Sequence, residues 1–169
     1  MPDDQPKIFN VLVLCTGNSA RSIMTEAAFN DASIGGGKFR AYSAGSKPTG
    51  KVNPGAERLI ARHGMPANDM RSKSWDEFST AQAPQMDFII TVCGNAANET
   101  CPIWPGQPTT AHWGVEDPAD ATGSESEIDH AFEHAFEPLK RRVEALAALP
   151  LETMTTPEMH EQARRIGTL

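Results

Sequence analysis

Ile8-Phe9-Asn10-Val11-Leu12-Val13-Leu14-Cys15-Thr16-Gly17-Asn18-Ser19-Ala20-Arg21-Ser22 passes from a short apolar run into a polar loop that opens with a cysteine and carries an arginine six positions later. A nearly continuous apolar run of this length reads as a parallel strand buried on both faces, so Ile8 to Leu14 is the expected first strand. Beyond the loop, Ile23 with Ala27 and Met24 with Ala28 keep the i, i+4 spacing of a packed helical face, and Ser19 is the expected N-cap. Gly17 is expected to let the backbone turn tightly between strand and helix. Strand, loop and helix in that order aim loop amides and a helix N-terminus at one centre, which makes an anion site before any side chain is counted.

Cys15 is expected on the floor of that site. Converging amides, the helix dipole and the Arg21 guanidinium all favour its thiolate, although an unperturbed cysteine has a pKa of about 8.5. Arg21 can grip a tetrahedral oxyanion through two parallel hydrogen bonds. The chemistry implied is nucleophilic attack by Cys15 on the central atom of a phosphate-like anion. The bare Cys-(x)5-Arg spacing is weak, arising by chance roughly one time in six in a chain of this composition. A buried structural cysteine followed by a surface arginine is the plain alternative, and it leaves the glycine and the small polar residues unexplained.

Cys15-Thr16-Gly17-Asn18-Ser19-Ala20-Arg21-Ser22 resembles the phosphate-binding loop of the low-molecular-weight protein tyrosine phosphatase superfamily. The Thr-Gly-Asn-Ser that follows the cysteine is similar to that of the superfamily's arsenate reductase branch.

A chain of 169 residues is most simply one domain with a substantial core. Its net charge of -7 argues against a nucleic-acid or anionic-membrane binder, so anion binding must be local. No run approaches the ~18 apolar residues of a membrane span, and the N-terminal residues lack the basic flank of a secretion signal, so a cytoplasmic protein with no membrane partner is expected. In that compartment an odd number of cysteines, three, points to reactive or redox thiols more than to a disulfide framework.

Gly35-Gly36-Gly37 is expected to close the first helix, and Lys38 to Ala44 alternates like an edge strand. Asn53-Pro54 is a helix entry, with Ala56, Leu59, Ile60 and His63 on one face and Gly64 at the end; His63 reads as a helix-end residue. A short helix is expected around Asp76 to Ala81. Phe88 to Val92 is a second strongly apolar run and ends in Cys93, as the first ended in Cys15. Thr109 to Trp113 is the candidate fourth strand, and Asp117 follows on a loop.

Strands alternating with helices imply an α/β fold, a parallel sheet with right-handed crossovers whose ligand site lies where the winding reverses. In the order 2-1-3-4, a three-layer four-stranded sheet flanked by helices, strands 1 and 3 flank the reversal and Cys93 emerges beside the Cys15 loop. Ser124 and Glu127 form an expected capping box for a long helix, along which Ile128, Phe132, Phe136, Leu139, Val143 and Leu146 form the buried stripe. Pro138 is expected to interrupt and kink that helix and Pro150 to end it. The expected domain spans residues 1–150, with 151–169 as a polar extension holding a short helix at Pro157 to Arg165. His130 and His134 have a spacing that can ligate a metal but read as a solvated face, and Trp104 and Trp113 read as packing residues near the site, Trp104 alternatively as a docking surface for a redox partner.

Cys93 and Cys101 are eight apart, so a disulfide between them needs a bend or loss of local helix to bring their Cα atoms within about 7 Å. The alternative is two unrelated thiols. Tyr42-Ser-Ala-Gly45, Thr91-Val-Cys93, Cys101-Pro-Ile and His112-Trp-Gly-Val-Glu-Asp-Pro-Ala119 are all similar to the arsenate reductase branch. The resemblance implies Cys15 as nucleophile, Arg21 as oxyanion ligand, Ser22 as hydrogen-bond donor to the thiolate and Asn18 as the loop-shaping residue. It further implies Asp117 as general acid and Cys93 and Cys101 as relay thiols, with Asn18, Glu26, Ser43 and Asp76 falling where some members hold potassium. Ala20 stands where many relatives carry another cysteine, and the interval from Cys93 to Cys101 is one residue longer than in the best-known thioredoxin-linked members.

The function implied is arsenate reduction to arsenite for arsenic detoxification, through a Cys15 adduct and a Cys15-Cys93-Cys101 disulfide relay. Arsenate is the substrate, with phosphate or sulfate as analogues. No cofactor is bound, and the reductant is an external thiol, thioredoxin ahead of glutathione with glutaredoxin; a monomer is expected. Two alternatives use the same loop: a tyrosine phosphatase, disfavoured because Ala119-Asp120 replaces the aromatic residues that typically follow Asp-Pro, and a non-enzymatic oxyanion or thiol sensor.

Overall fold

The computed structural model describes residues 7–67, 70–92 and 108–169. The first apolar run is strand β1 (Phe9–Cys15), the alternating segment is β2 (Phe39–Gly45), and the two later runs are β3 (Phe88–Thr91) and β4 (Thr109–His112). All pairings are parallel and the order is β2-β1-β3-β4, as the sequence implied, with β2 at an edge. The winding reverses between β1 and β3, and at the carboxyl end of β1 the Cys15 loop leaves the sheet.

The described residues form five helices: α1 (Arg21–Asn30), the single turn α2 (Ala32–Gly35), α3 (Pro54–Arg62), α4 (Glu125–Ala147) and α5 (Thr156–Ile166). Alternation along each strand sorts the sheet's side chains into two layers. Val11, Val13 and Cys15 share the larger core with Phe88, Ile90, the buried faces of α1 and α3, and the Phe132 to Leu146 stripe of α4. Leu12, Leu14, Ala44 and Ile89 face the other way, under Trp75, Phe78 and Met86. Every residue of α1 from Ser22 to Phe29 is buried, so the helix that follows the loop is fixed on all sides.

Several local signals act as expected. Asn53 caps α3, its side chain accepting from the Gly55 amide, with Pro54 in the first turn. Ser124 and Glu127 complete a reciprocal capping box at α4. Other signals were overruled. Pro138 lies inside α4, which runs unbroken through it to Ala147, although the helix does end just before Pro150 as expected. Buried Phe132 and Phe136 before the proline and Leu139 and Val143 after it anchor both halves, at about 1.5–3 kcal/mol each against about 3 for the proline. The first helix ends at Asn30, before the glycines, because Asp31 caps a further turn by accepting from the Ser33 and Ile34 amides; Gly36 and Gly37 then adopt φ of 70° and 71°. The segment after Ser74 forms only a 3-10 turn, Trp75–Phe78.

Residues 151–169 carry α5, which opens on a second capping box, Thr155 with Glu158, and buries Ala163 and Ile166. Trp113 Nε1 donates to the Ala163 carbonyl at 2.9 Å, and a Cβ on Gly167 would lie 2.5 Å from the His112 carbonyl oxygen. A short glycine approach therefore lets this segment lie against the end of β4, the strand at the other edge of the sheet.

Candidate active site

The loop after β1 is held from outside through its carbonyls. Thr16 O accepts from Lys47 N at 2.9 Å, Gly17 O from Thr49 N at 3.0 Å and from Ser72 Oγ at 3.2 Å, and Ser19 O from Asn53 N at 2.8 Å. A trans peptide sets its N–H opposite its C=O, so the amides of Gly17, Asn18 and Ala20 face away from those partners, the orientation an anion cradle requires. Helix α1 begins directly afterwards with no side chain capping it and no acidic residue in its first turn. Its N-cap is Ala20, not the expected Ser19, so no hydroxyl competes for the first-turn amides.

Asn18 makes the tight turn that Gly17 was expected to make. It has φ of 45°, alone among the described non-glycine residues in lying at positive φ, and its side chain holds it there. Oδ1 accepts from Lys73 N at 2.8 Å, while Nδ2 donates to Ser22 Oγ at 2.8 Å and Ser43 Oγ at 3.0 Å. A backbone N–H can only donate, which fixes the amide's orientation. Ser43 in turn donates to the Glu26 carboxylate. Asn18, Ser22 and Ser43 are 0 % exposed and Glu26 8 %, so this is a buried polar layer behind the loop.

Cys15 is buried at the end of β1, in register with Gly45 of β2. Arg21, the first residue of α1, donates through Nη1 to the Val115 carbonyl at 3.1 Å, and its Nη2 lies 3.3 Å from Asp117 Oδ2. The other Asp117 oxygen accepts from the Ala119 amide at 2.9 Å and caps the 3-10 turn Pro118–Asp120. The fold thus brings the Cys15 loop, Arg21 and Asp117 together across 102 residues, as the distance in sequence from 15 to 117 shows. On β3, Thr91 is in register with Leu14 and Val92 N donates to Leu14 O at 3.0 Å. Cys93, Cys101 and Trp104 lie outside the described residues. Trp113 is fully buried and stacks on Phe29.

Of the residues tied by resemblance to potassium, Asn18, Glu26 and Ser43 form one cluster and Asp76 is exposed on the 3-10 turn. The donor set does not suit an alkali cation. The Asn18 carbonyl oxygen is occupied by Lys73 N–H, the Asn18 NH2 group turns toward Ser43, and the Ser43 hydroxyl proton is directed at Glu26. His130 and His134 are exposed, and no group of three metal-ligating side chains occurs among the described residues.

Two residues of the site were missed in the sequence. Lys73, 7 % exposed, sits in a stretch with no periodicity, and its amide and carbonyl bridge Asn18 to Gly45 N, the latter at 2.9 Å. Arg142 of α4 donates to the carbonyls of Trp113 at 3.0 Å and Gly114 at 3.3 Å, fixing the start of the Asp117 loop, and burial pushes its pKa down. It interrupts the apolar pattern next to Val143, which was the available signal.

Residues 10–157 match the family of low molecular weight phosphotyrosine protein phosphatases. The chain belongs to this family. Within it, the chain is 33 % identical over 137 residues to an arsenate reductase of Halalkalibacterium halodurans, covering 81 % of this chain and 94 % of that protein. It is 32 % identical over 137 residues to the arsenate reductase of Bacillus subtilis, with the same coverage. Among solved structures, the arsenate reductase of Archaeoglobus fulgidus superposes with a TM-score of 0.63 at 27 % identity, covering 82 % of this chain and 99 % of that one. A low molecular weight protein tyrosine phosphatase of T. tengcongensis, at 23 % identity and a TM-score of 0.59, shares the fold over 86 % of this chain and 99 % of its own.

Proposed function

We propose that this phosphatase-family protein is an arsenate reductase. One observation supports the chemistry: Arg21, six residues after Cys15 at the end of the same loop, pairs with Asp117 at 3.3 Å and so links that loop to the proposed acid. The curated relatives named arsenate reductases, matched over 94 % of their length, narrow the anion to arsenate.

The Cys15 thiolate attacks arsenic while loop amides, the open N-terminus of α1 and Arg21 hold the oxygens. Ser22, whose oxygen accepts from Asn18, keeps its own proton to donate to the thiolate. Asp117 gives a proton to the departing hydroxyl, which leaves as water, and a sulfur–arsenic bond remains. The Cys93 thiolate then attacks the Cys15 sulfur. The sulfur–arsenic pair stays with arsenic, which leaves as arsenite, and a Cys15–Cys93 disulfide forms. Cys101 attacks Cys93, returning Cys15 as thiolate, and an external dithiol of the thioredoxin type reduces the Cys93–Cys101 bond. Supporting this route, β3 delivers the chain at Val92 to the Leu14 carbonyl, and Cys93 is the next residue.

The test is NADPH consumption by reduced protein with arsenate and a thioredoxin system, or separately with glutathione and glutaredoxin. Consumption with thioredoxin, and a Cys93→Ser variant that still binds arsenic covalently but does not turn over, are expected. Normal turnover by Cys93→Ser removes the relay; brisk aryl phosphate hydrolysis with no arsenate-dependent consumption makes the protein a phosphatase.

A further inference from the structure

Successive carbonyls at the entrance of the Asp117 loop are all taken by arginines. Arg142 Nη1 donates to Trp113 O at 3.0 Å and Gly114 O at 3.3 Å, and Arg21 Nη1 donates to Val115 O at 3.1 Å. On the amide side, Trp113 N donates to Thr91 O at 2.7 Å and Val115 N to Val92 O at 3.2 Å. The planar peptide joining Gly114 to Val115 is therefore gripped at both its C=O and its N–H, which sets the direction in which the chain leaves toward Asp117, two residues on. Arg142 reaches one further acceptor, the Leu169 main-chain oxygen, through Nη2 at 3.0 Å.

That acceptor belongs to a segment with no part in the chemistry above. Residues 163–169 enclose Trp113. Ala163 O accepts from its indole at 2.9 Å, and a Cβ on Gly167 would lie 3.0 Å from Trp113 Cδ1 and 2.5 Å from the His112 carbonyl oxygen. Leu169 then holds the arginine that holds the Trp113 carbonyl. All of these residues follow residue 157, where the family match ends. The Arg142 guanidinium, on a residue 7 % exposed, binds main-chain oxygens, and its Nε has no acceptor among the described residues. A buried charge so incompletely paired adds little stability over an apolar side chain of the same volume. What it adds is direction, because oxygens from two distant stretches converge on one planar fork.

We propose that residues 163–169, acting through Arg142 and Trp113, are a clasp that positions Asp117 for proton transfer. They are positioning residues and act through the entrance of the Asp117 loop. The anion side is held independently, by the outer ties of the Cys15 loop and by α1, buried from Ser22 to Phe29. Loosening the clasp therefore impairs proton transfer and spares anion binding. The inference rests on the arsenate reading in taking Asp117 as the acid.

The experiment uses the reduced full chain and reads kcat for arsenate, competitive inhibition by phosphate, and hydrogen–deuterium exchange of residues 114–121 against residues 15–22. Arg142→Met removes the fork and keeps an apolar stem, whereas Gly167→Val leaves Arg142 in place and drives residues 167–169 off the end of β4. Arg142→Met is expected to lower kcat about tenfold, to leave the phosphate inhibition constant within about twofold, and to raise exchange at 114–121 about tenfold with no rise at 15–22. Gly167→Val is expected to show the same pattern at about a third of the size, and the double variant to be no worse than Arg142→Met, since both act through one link. Added to Asp117→Asn, Arg142→Met is expected to lower kcat no further, an outcome that a general loss of structure would not produce. If Arg142→Met does not fold, Gly167→Val carries each comparison. Unchanged exchange at 114–121 in the folded variants overturns the proposal, as do equal losses of kcat and phosphate binding or full additivity with Asp117→Asn. A native protein that does not reduce arsenate removes the functional reading, and the exchange pattern then decides by itself whether the clasp holds the loop.

Discussion

The Cys15–Ser22 loop and the Val115–Asp120 loop meet at Arg21 but are secured differently. The first is tied through three carbonyls on its outer side and backed by Asn18, Ser22 and Ser43, all wholly buried. The second carries Asp117 with its side chain 35 % exposed, tied by its own cap and by Arg21 at 3.3 Å. An oxyanion cradle gains from having every donor in place before substrate arrives. A general acid must change partners, because the guanidinium that now faces Asp117 is the group an incoming oxyanion needs. In the proposed mechanism the rigid half serves binding and the exposed half proton transfer.

Breaking the rigid half gives the largest effect. Cys15→Ser is expected to bring arsenate turnover below detection, and Arg21→Lys to lower it about 10³-fold, since a point charge cannot reproduce the planar fork and the links to Val115 and Asp117 are lost with it. Steady-state kinetics and phosphate inhibition check both, and Arg21→Lys should weaken phosphate binding as well as turnover. Asp117→Asn is expected to lower kcat about 10²-fold. It should leave phosphate inhibition as strong as before or stronger, because the carboxylate that competes for Arg21 is gone. Equal damage to binding and turnover in Asp117→Asn would erase the distinction between the halves.

The two halves also differed in how much their residues disclosed. Strands β1 and β3 were legible as apolar runs at Phe9–Cys15 and Phe88–Thr91, because burial on both faces leaves a local signature. Cys15, Arg21 and Asp117 stood out by residue type and by the motif around them. Gly17 misled because glycine is the generic turn residue, whereas the turn is made by Asn18, whose left-handed φ is sustained by contacts with residues 22, 43 and 73. No local pattern records such contacts. Lys73 was hidden for the same reason: a lysine in an aperiodic stretch reads as surface, and only the packing of that stretch on Asn18 and Gly45 buries it. Pro138 shows local propensity yielding to the tertiary core on both sides.

Asn18 separates backbone from side chain in the rigid half. Asn18→Gly keeps the left-handed turn and removes three hydrogen bonds, so it is expected to cost about 2–3 kcal/mol, a melting temperature lower by about 5–10 °C. Asn18→Ala should cost about 1 kcal/mol more, since alanine has no local hydrogen bond to hold a positive φ. Denaturant unfolding of the two variants checks the order.

The smallest effect is expected at the rim, where Arg71 grips Glu77 through both guanidinium nitrogens, with side chains 59 % and 43 % exposed. Arg71 holds the Glu77 carboxyl below the usual range, chiefly through its hydrogen bonds. A depressed folded-state value means the carboxylate adds stability above the ordinary glutamate pKa of about 4.3 and loses it as pH falls through the lower folded value. Solvent screening limits the contribution to a few tenths of a kcal/mol. Glu77→Gln should therefore be less stable than the native protein by that amount at pH 7, with the difference closing in acid, as paired denaturant titrations would show. A loss above about 1 kcal/mol at pH 7 would mean that this exposed pair, flanking Lys73 on both sides in sequence, fixes the buried layer from outside. The rigid half would then owe its order to the surface, and the contrast with the Asp117 loop would fail.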